Sequence, residues 1–172
     1  MVLDSAWISI ALFLIPLYVA NSMAMVFGGG NPLDGNRLMR DGKPILGKGK
    51  TVRGTIAGIA CGTIAAAMVW LLFPQQTLIA TNQYVLFGFL VSCGAMAGDL
   101  AGSFIKRRLL IDSGAPTPGL DQLGFAVGGL LFSTPLYLPN AYEVLVICAF
   151  TIITHVGSNY AAFKMGIKKV PW

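Results

Sequence analysis

Five long apolar stretches, at residues 5–27, 54–73, 83–105, 121–138 and 142–163, dictate most of what this 172-residue chain can fold into. Each is close to the ~20 residues that a helix needs to cross a hydrocarbon layer of roughly 30 Å. Inside such a layer an open backbone amide finds no partner, so the stretches must be helical. Charged residues make up only 11% of the chain, against roughly 25% in a soluble domain. The sequence therefore predicts an all-α polytopic membrane protein: a single transmembrane domain over 1–172, with five spanning helices. The first stretch does not read as a signal peptide, because Asp4 is the only charge ahead of it and the apolar run is too long. Pro16 should kink that helix. Cys61, Cys93 and Cys148 fall inside the stretches at no metal-ligand spacing and read as small apolar fillers.

The positions of the charges predict an orientation. Arg37, Arg40, Lys43, Lys48, Lys50 and Arg53 lie in the first connection, 28–53, and Lys106, Arg107 and Arg108 in the third, 106–120. Lys164, Lys168 and Lys169 follow the last stretch and complete the 12 basic residues. With five spans all of them share one side, and the connections at 74–82 and 139–141 have none. Lys and Arg accumulate on the cytosolic side, so the N-terminus is expected outside and the C-terminus inside a cell membrane. The net charge of +5 serves this topology, and no nucleic-acid partner is expected.

Polar residues inside apolar stretches carry most of the functional information. Gly94, Gly98 and Gly102 recur every four residues, a ridge along which another helix can approach closely. Asp99, Ser103 and Lys106 share one face of the same helix. Asp99 lies about two turns from the basic end, where a carboxylate is costly unless it meets a cation, a metal or a wet cavity. A structural ion pair with Lys106 or another basic residue is the plainer alternative for Asp99, but a functional role is the favoured reading, because intramembrane ionisable groups are functional by default. Thr151, Thr154, His155, Ser158 and Asn159 form a stripe on the last helix and suggest a polar cavity beside it. His155 is the sole histidine and reads as a hydrogen-bonded packing residue.

The two basic connections offer cations next to carboxylates, with Asp99 and Asp121 flanking the second of them. That combination suits a polyphosphate with Mg2+, since cations neutralise phosphate oxygens and hard oxygens hold the metal. Two motif matches fail. Gly49-Lys50-Thr51 resembles the end of a P-loop, but the glycine that motif needs five residues before Gly49 is Pro44. Asp34-Gly35-Asn36-Arg37 begins like a CDP-alcohol phosphotransferase motif, yet the helix that follows holds no aspartate.

The run GDLAGSFIKRRLLIDSGAPTPGLDQLGF, residues 98–125, resembles the signature of the membrane CTP:phosphatidate cytidylyltransferases. In that signature G-D-L and a Ser precede Lys-Arg, and a Pro-Gly turn leads to Asp-Arg-x-Asp. The P-G-L-D-Q-L form here, with ILGKGKTVRGTIAG at 45–58, is similar to the archaeal branch, the CDP-archaeol synthases. So are VANSMAMVFGGGNPLDG near the N-terminus and HVGSNYAAFKMGIKKVPW at the C-terminus. The resemblance implies an enzyme that takes CTP and an unsaturated isoprenoid ether-lipid phosphate, 2,3-bis-geranylgeranyl-glycerol 1-phosphate, to the CDP-lipid and pyrophosphate. Its site would face the cytosol among membrane lipids. By the same resemblance Asp99 and Asp121 would hold Mg2+, with Lys106 completing the catalytic set. Gly47, Lys50, Thr51 and Arg53, with Ser103, Lys106 and Arg107, would bind the triphosphate. Two positions depart from the family pattern: Gly124 stands where a second aspartate is common, and Gln122 where the bacterial enzymes have arginine. The competing class is a small proton-coupled transporter using Asp99 and His155, which would need polar access from both sides. Only Asp4 and Glu143 are ionisable in the outer halves of these stretches.

Overall fold

The computed structural model describes residues 2–75, 79, 83–113, 115–117 and 119–166, and for 2–6, 9 and 162 the backbone alone. Five helices follow one another: α1 (Val2–Val26), α2 (Val52–Leu72), α3 (Tyr84–Arg108), α4 (Leu120–Ser133) and α5 (Ala141–Lys164). Local chemistry sets several of their ends. The Thr51 hydroxyl accepts from the Gly54 N–H and caps α2. At the start of α5, Asn140 and Glu143 satisfy each other's backbone amides. Lys106, Arg107 and Arg108, expected in a connection, form the last turn of α3 instead. There their charge complements the exposed carbonyls of the helix C-terminus. Lys168 and Lys169, Pro118 and most of the 74–82 connection lie outside the described residues.

The fourth helix departs most from expectation. The apolar run to 138 suggested a full span, but α4 stops at Ser133 after 14 residues, about 21 Å of helix against a layer of roughly 30 Å. Pro135 explains the stop: Thr134 still has helical angles, but the proline has no N–H to donate to Leu131 and its ring crowds that carbonyl. The Thr134 hydroxyl takes up the Leu131 carbonyl at 2.8 Å, and the chain turns through Leu136 and Tyr137 onto the Ser133 carbonyl. Among the described residues, three helices are long and apolar enough to cross a membrane: α2, α3 and the 141–161 part of α5. Their outward faces carry Ile56, Ile64, Met68, Leu86, Leu145 and Ile153, all well exposed. Water would not tolerate that much apolar surface, whereas lipid would.

Two ridges of small residues bring backbones together. On α2, Gly54, Gly58 and Gly62 lie against the carbonyls of Ala24, Ala20 and Pro16 on α1, where an added Cβ would come within 2.6–2.8 Å of those oxygens. On α3, Gly94 and Gly98 abut the Gly128 and Gly124 carbonyls of α4, with Gly102 beyond them near Leu120. Each pairing steps back four residues on one helix as it advances four on the other, so both pairs are antiparallel. Small residues permit this approach in surroundings where apolar burial alone gives little drive. Gly124 thereby gains a structural reason: a Cβ there would meet the Gly98 carbonyl at 3.2 Å, so the place of a second aspartate is taken up by the seam.

The kink expected at Pro16 has a more specific outcome. Proline leaves the carbonyl four residues earlier without its helical donor. Tyr84, fully buried, donates its hydroxyl to that carbonyl, on Leu12, at 2.9 Å. Phe13 and Phe87 pack edge to face beside it.

Trp7 meets Tyr142 and Tyr18 meets Phe150, so α5 runs parallel to α1. Every described Lys and Arg therefore falls at one end of the bundle. Among the described residues, the polar stripe on α5 borders an apolar groove where a polar cavity was expected. Thr151 and Ser158 bond carbonyls of their own helix, which spares them any other partner. The groove beside Thr154, about 400 Å3, is otherwise lined by α1 and α5 side chains such as Trp7, Leu14, Tyr18 and Phe150. We expect Gly98→Ala to force the α3–α4 seam apart at a cost of about 1–3 kcal/mol. Thermal unfolding in detergent should register that loss, while Gly157→Ala, which meets nothing within 4 Å, should match wild type.

Candidate active site

At the basic end, the connection between α1 and α2 folds back on itself. Isolated bridges join Pro32 to Thr51 and Leu38 to Pro44. Its organiser is Asp34, whose carboxylate accepts from the Asn36, Leu46 and Gly47 amides at 2.9–3.0 Å. Burial pushes the Asp34 carboxyl upward, but these three amides outweigh it and hold the group below the usual carboxylate range. Gly47 sits at φ +100°, open to glycine, and an added Cβ would strike the Ser113 hydroxyl at 2.6 Å. A cavity of about 370 Å3 opens here among Asp34, Asn36, Leu38, Pro44, Gly47 and Lys48.

Two arginines fasten this connection to the end of α3. Arg108 reaches Asp41 at 2.6 Å and the Pro44 carbonyl at 2.5 Å. Arg107 is buried and donates to Ser113 at 2.8 Å, leaving its Nε without a hydrogen bond. The Lys43 amide and the Arg108 charge hold the Asp41 carboxyl low.

The carboxylates expected to be functional each meet a lysine. Lys50 Nζ lies 2.7 and 2.6 Å from the two Asp99 oxygens, spanning from the end of the first connection to α3. Lys106 Nζ lies 2.5 Å from Asp121 across the α3–α4 seam. The other Asp121 oxygen accepts from the Thr117 amide just ahead of α4, and the carboxylate suits that helix N-terminus. The ion-pair partner of Asp99 is thus Lys50, not Lys106. Asp99 and Lys106 are seven residues apart, within about 20° around α3. Because Lys106 reaches Asp121, all three groups flank the same side of the seam. Roughly a quarter of each aspartate side chain remains exposed, so solutes can reach both.

The other expected site residues divide. Ser103 is buried on α3, and the Thr51 oxygen is engaged as a helix cap beside Lys50. Arg53 is exposed on the first turn of α2, beside Gly30 and Asn31. His155 stays on α5, its Nδ1 3.1 Å from Asn159. Asp34 was legible only as part of a failed motif match, although Asp-Gly-Asn is a turn signal in its own right.

No group of three or more His, Cys, Asp and Glu side chains able to hold a metal occurs among the described residues. The chemistry of two partly exposed carboxylates, Asp99 and Asp121, beside the seam nonetheless fits Mg2+, which is commonly held by one or two carboxylates while phosphates and water fill the remaining positions.

The chain is similar to known proteins over nearly its whole length. Residues 2–172 match the family described as CarS-like, CDP-archaeol synthase. A CDP-archaeol synthase of Thermococcus gammatolerans is 45% identical over 160 residues, covering 93% of each chain. One from Methanocaldococcus jannaschii is 42% identical over 93% of this chain and 94% of its own. A solved structure of an intramembrane enzyme for archaeal membrane lipid biosynthesis superposes with a TM-score of 0.79 at 34% identity, over 86% of this chain and 90% of the other.

The depressed Asp34 carboxyl predicts a pH effect of definite sign. Its contribution is present above the ordinary carboxylate pKa and is lost as pH falls through the lowered value. Hydrogen exchange at Leu46 and Gly47, corrected for intrinsic rates, should accelerate below about pH 4. In Asp34→Asn it should be fast already at neutral pH.

Proposed function

The chain belongs to the CDP-archaeol synthase family, and from that premise we propose that it joins CTP to an unsaturated isoprenoid ether-lipid phosphate at the basic end of its bundle. It is a CTP-dependent cytidylyltransferase of archaeal lipid biosynthesis and a membrane protein; the products are the CDP-lipid and pyrophosphate. The finer reading takes 2,3-bis-geranylgeranyl-glycerol 1-phosphate as acceptor, five membrane-embedded helices with the short α4 among them and the N-terminus outside, and a site open to the cytosol. The one-sided distribution of Lys and Arg supports that orientation. The observation that carries the site assignment is the pair of Lys–Asp contacts beside the α3–α4 seam.

Asp99 and Asp121 would hold Mg2+, which when bound neutralises phosphate charge and draws off electron density from the leaving pyrophosphate. Lys50 and Lys106 are within reach of the same space and bind phosphate oxygens. Arg53, on the exposed first turn of α2, adds a cation to that surface. Thr51 fixes the start of α2 and so holds Lys50 and Arg53 on either side of its cap. Gly47, Ser103 and Arg107 bound the site from the connection and from α3, with Arg107 and Ser113 holding its floor. The acceptor is a phosphate already ionised near neutral pH, so the residues need not remove a proton from it. Their task is to overcome repulsion between two anions and to align attack with departure. The transporter alternative has no comparable support, since Asp99 is paired to Lys50 and His155 to its own helix.

We expect Asp99→Asn to abolish CTP-dependent formation of CDP-lipid while leaving the protein folded in detergent. Full turnover in that variant, followed with radiolabelled CTP and a lipid phosphate, removes Asp99 from the mechanism. Lys50→Ala should raise the CTP concentration needed for half-maximal rate, and an unchanged CTP dependence counts against its phosphate role. The purified protein should bind CTP with Mg2+ in preference to UTP or ATP.

A further inference from the structure

The geometry of the two Lys–Asp pairs has a consequence for the order in which ligands assemble. We infer that Lys50 and Lys106 serve as exchangeable counter-ions: they occupy Asp99 and Asp121 in the free enzyme and move onto phosphate oxygens when a divalent cation and the nucleotide arrive together. This inference rests on the proposed metal and phosphate roles of those residues and adds a coupling between them.

The reasoning is electrostatic. In the free protein two ammonium groups and two carboxylates cancel, with contacts of 2.5–2.7 Å. A divalent cation entering alone would have to displace both lysines and leave them without counter-ions in a region only partly open to water, since Lys106 is 14% and Lys50 28% exposed. A triphosphate entering alone would draw the lysines away and leave two carboxylates facing phosphate oxygens. Each half-step separates or crowds charge where screening is weak. When both enter, the cation takes the carboxylates and the lysines take phosphate oxygens, so neither the carboxylates nor the lysines are left without a counter-ion.

The lysines are built for such a transfer. Each is a point charge on a flexible stem. Lys50 hangs from the segment just ahead of α2, whose amide bonds Gly47. Lys106 projects from the last turn of α3. The arginines of the same region are committed differently: Arg108 holds Asp41 and the Pro44 carbonyl, and Arg107 holds Ser113. The site thus separates fixed cations, which tie the connection down, from transferable ones.

Metal and nucleotide should therefore bind with positive coupling, and removing a lysine should weaken that coupling by strengthening the binding of free metal. The test uses the full chain in detergent with Mn2+ as probe. Free Mn2+ is counted by electron paramagnetic resonance, with and without CTP and with no lipid phosphate present, so that no turnover occurs, and a protein-free titration with the same CTP subtracts the Mn–CTP complex formed in solution. In wild type, CTP should tighten Mn2+ binding by about tenfold or more. In Lys50→Met, Mn2+ without nucleotide should bind roughly tenfold more tightly than in wild type, and the gain on adding CTP should shrink correspondingly. Lys50→Arg should restore weak binding of free metal. Lys106→Met supplies a second, independent variant should the first not fold. Asp99→Asn separates the two levels of the idea. If it leaves Mn2+ binding unchanged in the presence of CTP, the metal role of Asp99 is wrong. If it removes that binding while Lys50→Met and Lys106→Met hold free Mn2+ no tighter than wild type, the metal role stands and the exchange is overturned.

Discussion

Backbone contact along the α3–α4 seam is the constraint on which the rest of the site depends. Gly94 and Gly98 on one helix lie directly against Gly128 and Gly124 on the other. At that spacing the acidic first turn of α4 comes alongside the last two turns of α3, and Lys106 spans the gap to Asp121. A bulkier pair of surfaces would move the helices apart by the thickness of a side chain, beyond the reach of the Lys106–Asp121 contact. The seam also explains why only one aspartate follows the Pro-Gly turn. The residue three positions later faces the neighbouring backbone.

A second level of organisation lies in the connection between α1 and α2. It is long and glycine-rich, and in isolation such a segment would sample many conformations. Asp34 gathers three amides, Arg108 ties Asp41 and Pro44 to α3, and Thr51 ends the segment by capping α2. Lys50 is thereby held between two fixed points, the Gly47 turn and the Thr51 cap. The precision of the Lys50–Asp99 contact comes from residues that do not take part in it.

Much of this was legible in the sequence, because membrane helices announce themselves by length and hydropathy and because an acid inside such a helix is conspicuous. Five spanning helices were expected; among the described residues there are five helices, three of them long and apolar enough to cross a membrane, and Asp99, Asp121, Lys50 and Lys106 meet pairwise. The partner of Asp99 was not legible. Helical spacing relates residues on one element, whereas Lys50 approaches from another whose path depends on Asp34. The length of α4 was obscured by the apolar residues beyond Pro135, which continue in composition but not in conformation. The hydroxyls of α5 suggested a wet cavity because side-chain bonds to the same helix leave no trace in spacing. The small residues of α2 escaped notice since alanines and glycines at that spacing read simply as a hydrophobic span.

The tie between Tyr84 and Leu12 carries an evolutionary implication. The carbonyl that Tyr84 serves is free only because Pro16 cannot donate to it. A chain that lost the proline would regain an ordinary helical bond there and leave the buried phenol stranded. One that lost the phenol would strand the carbonyl. The two positions, 68 residues apart, are therefore bound to drift as a unit, each change opening a path for the other.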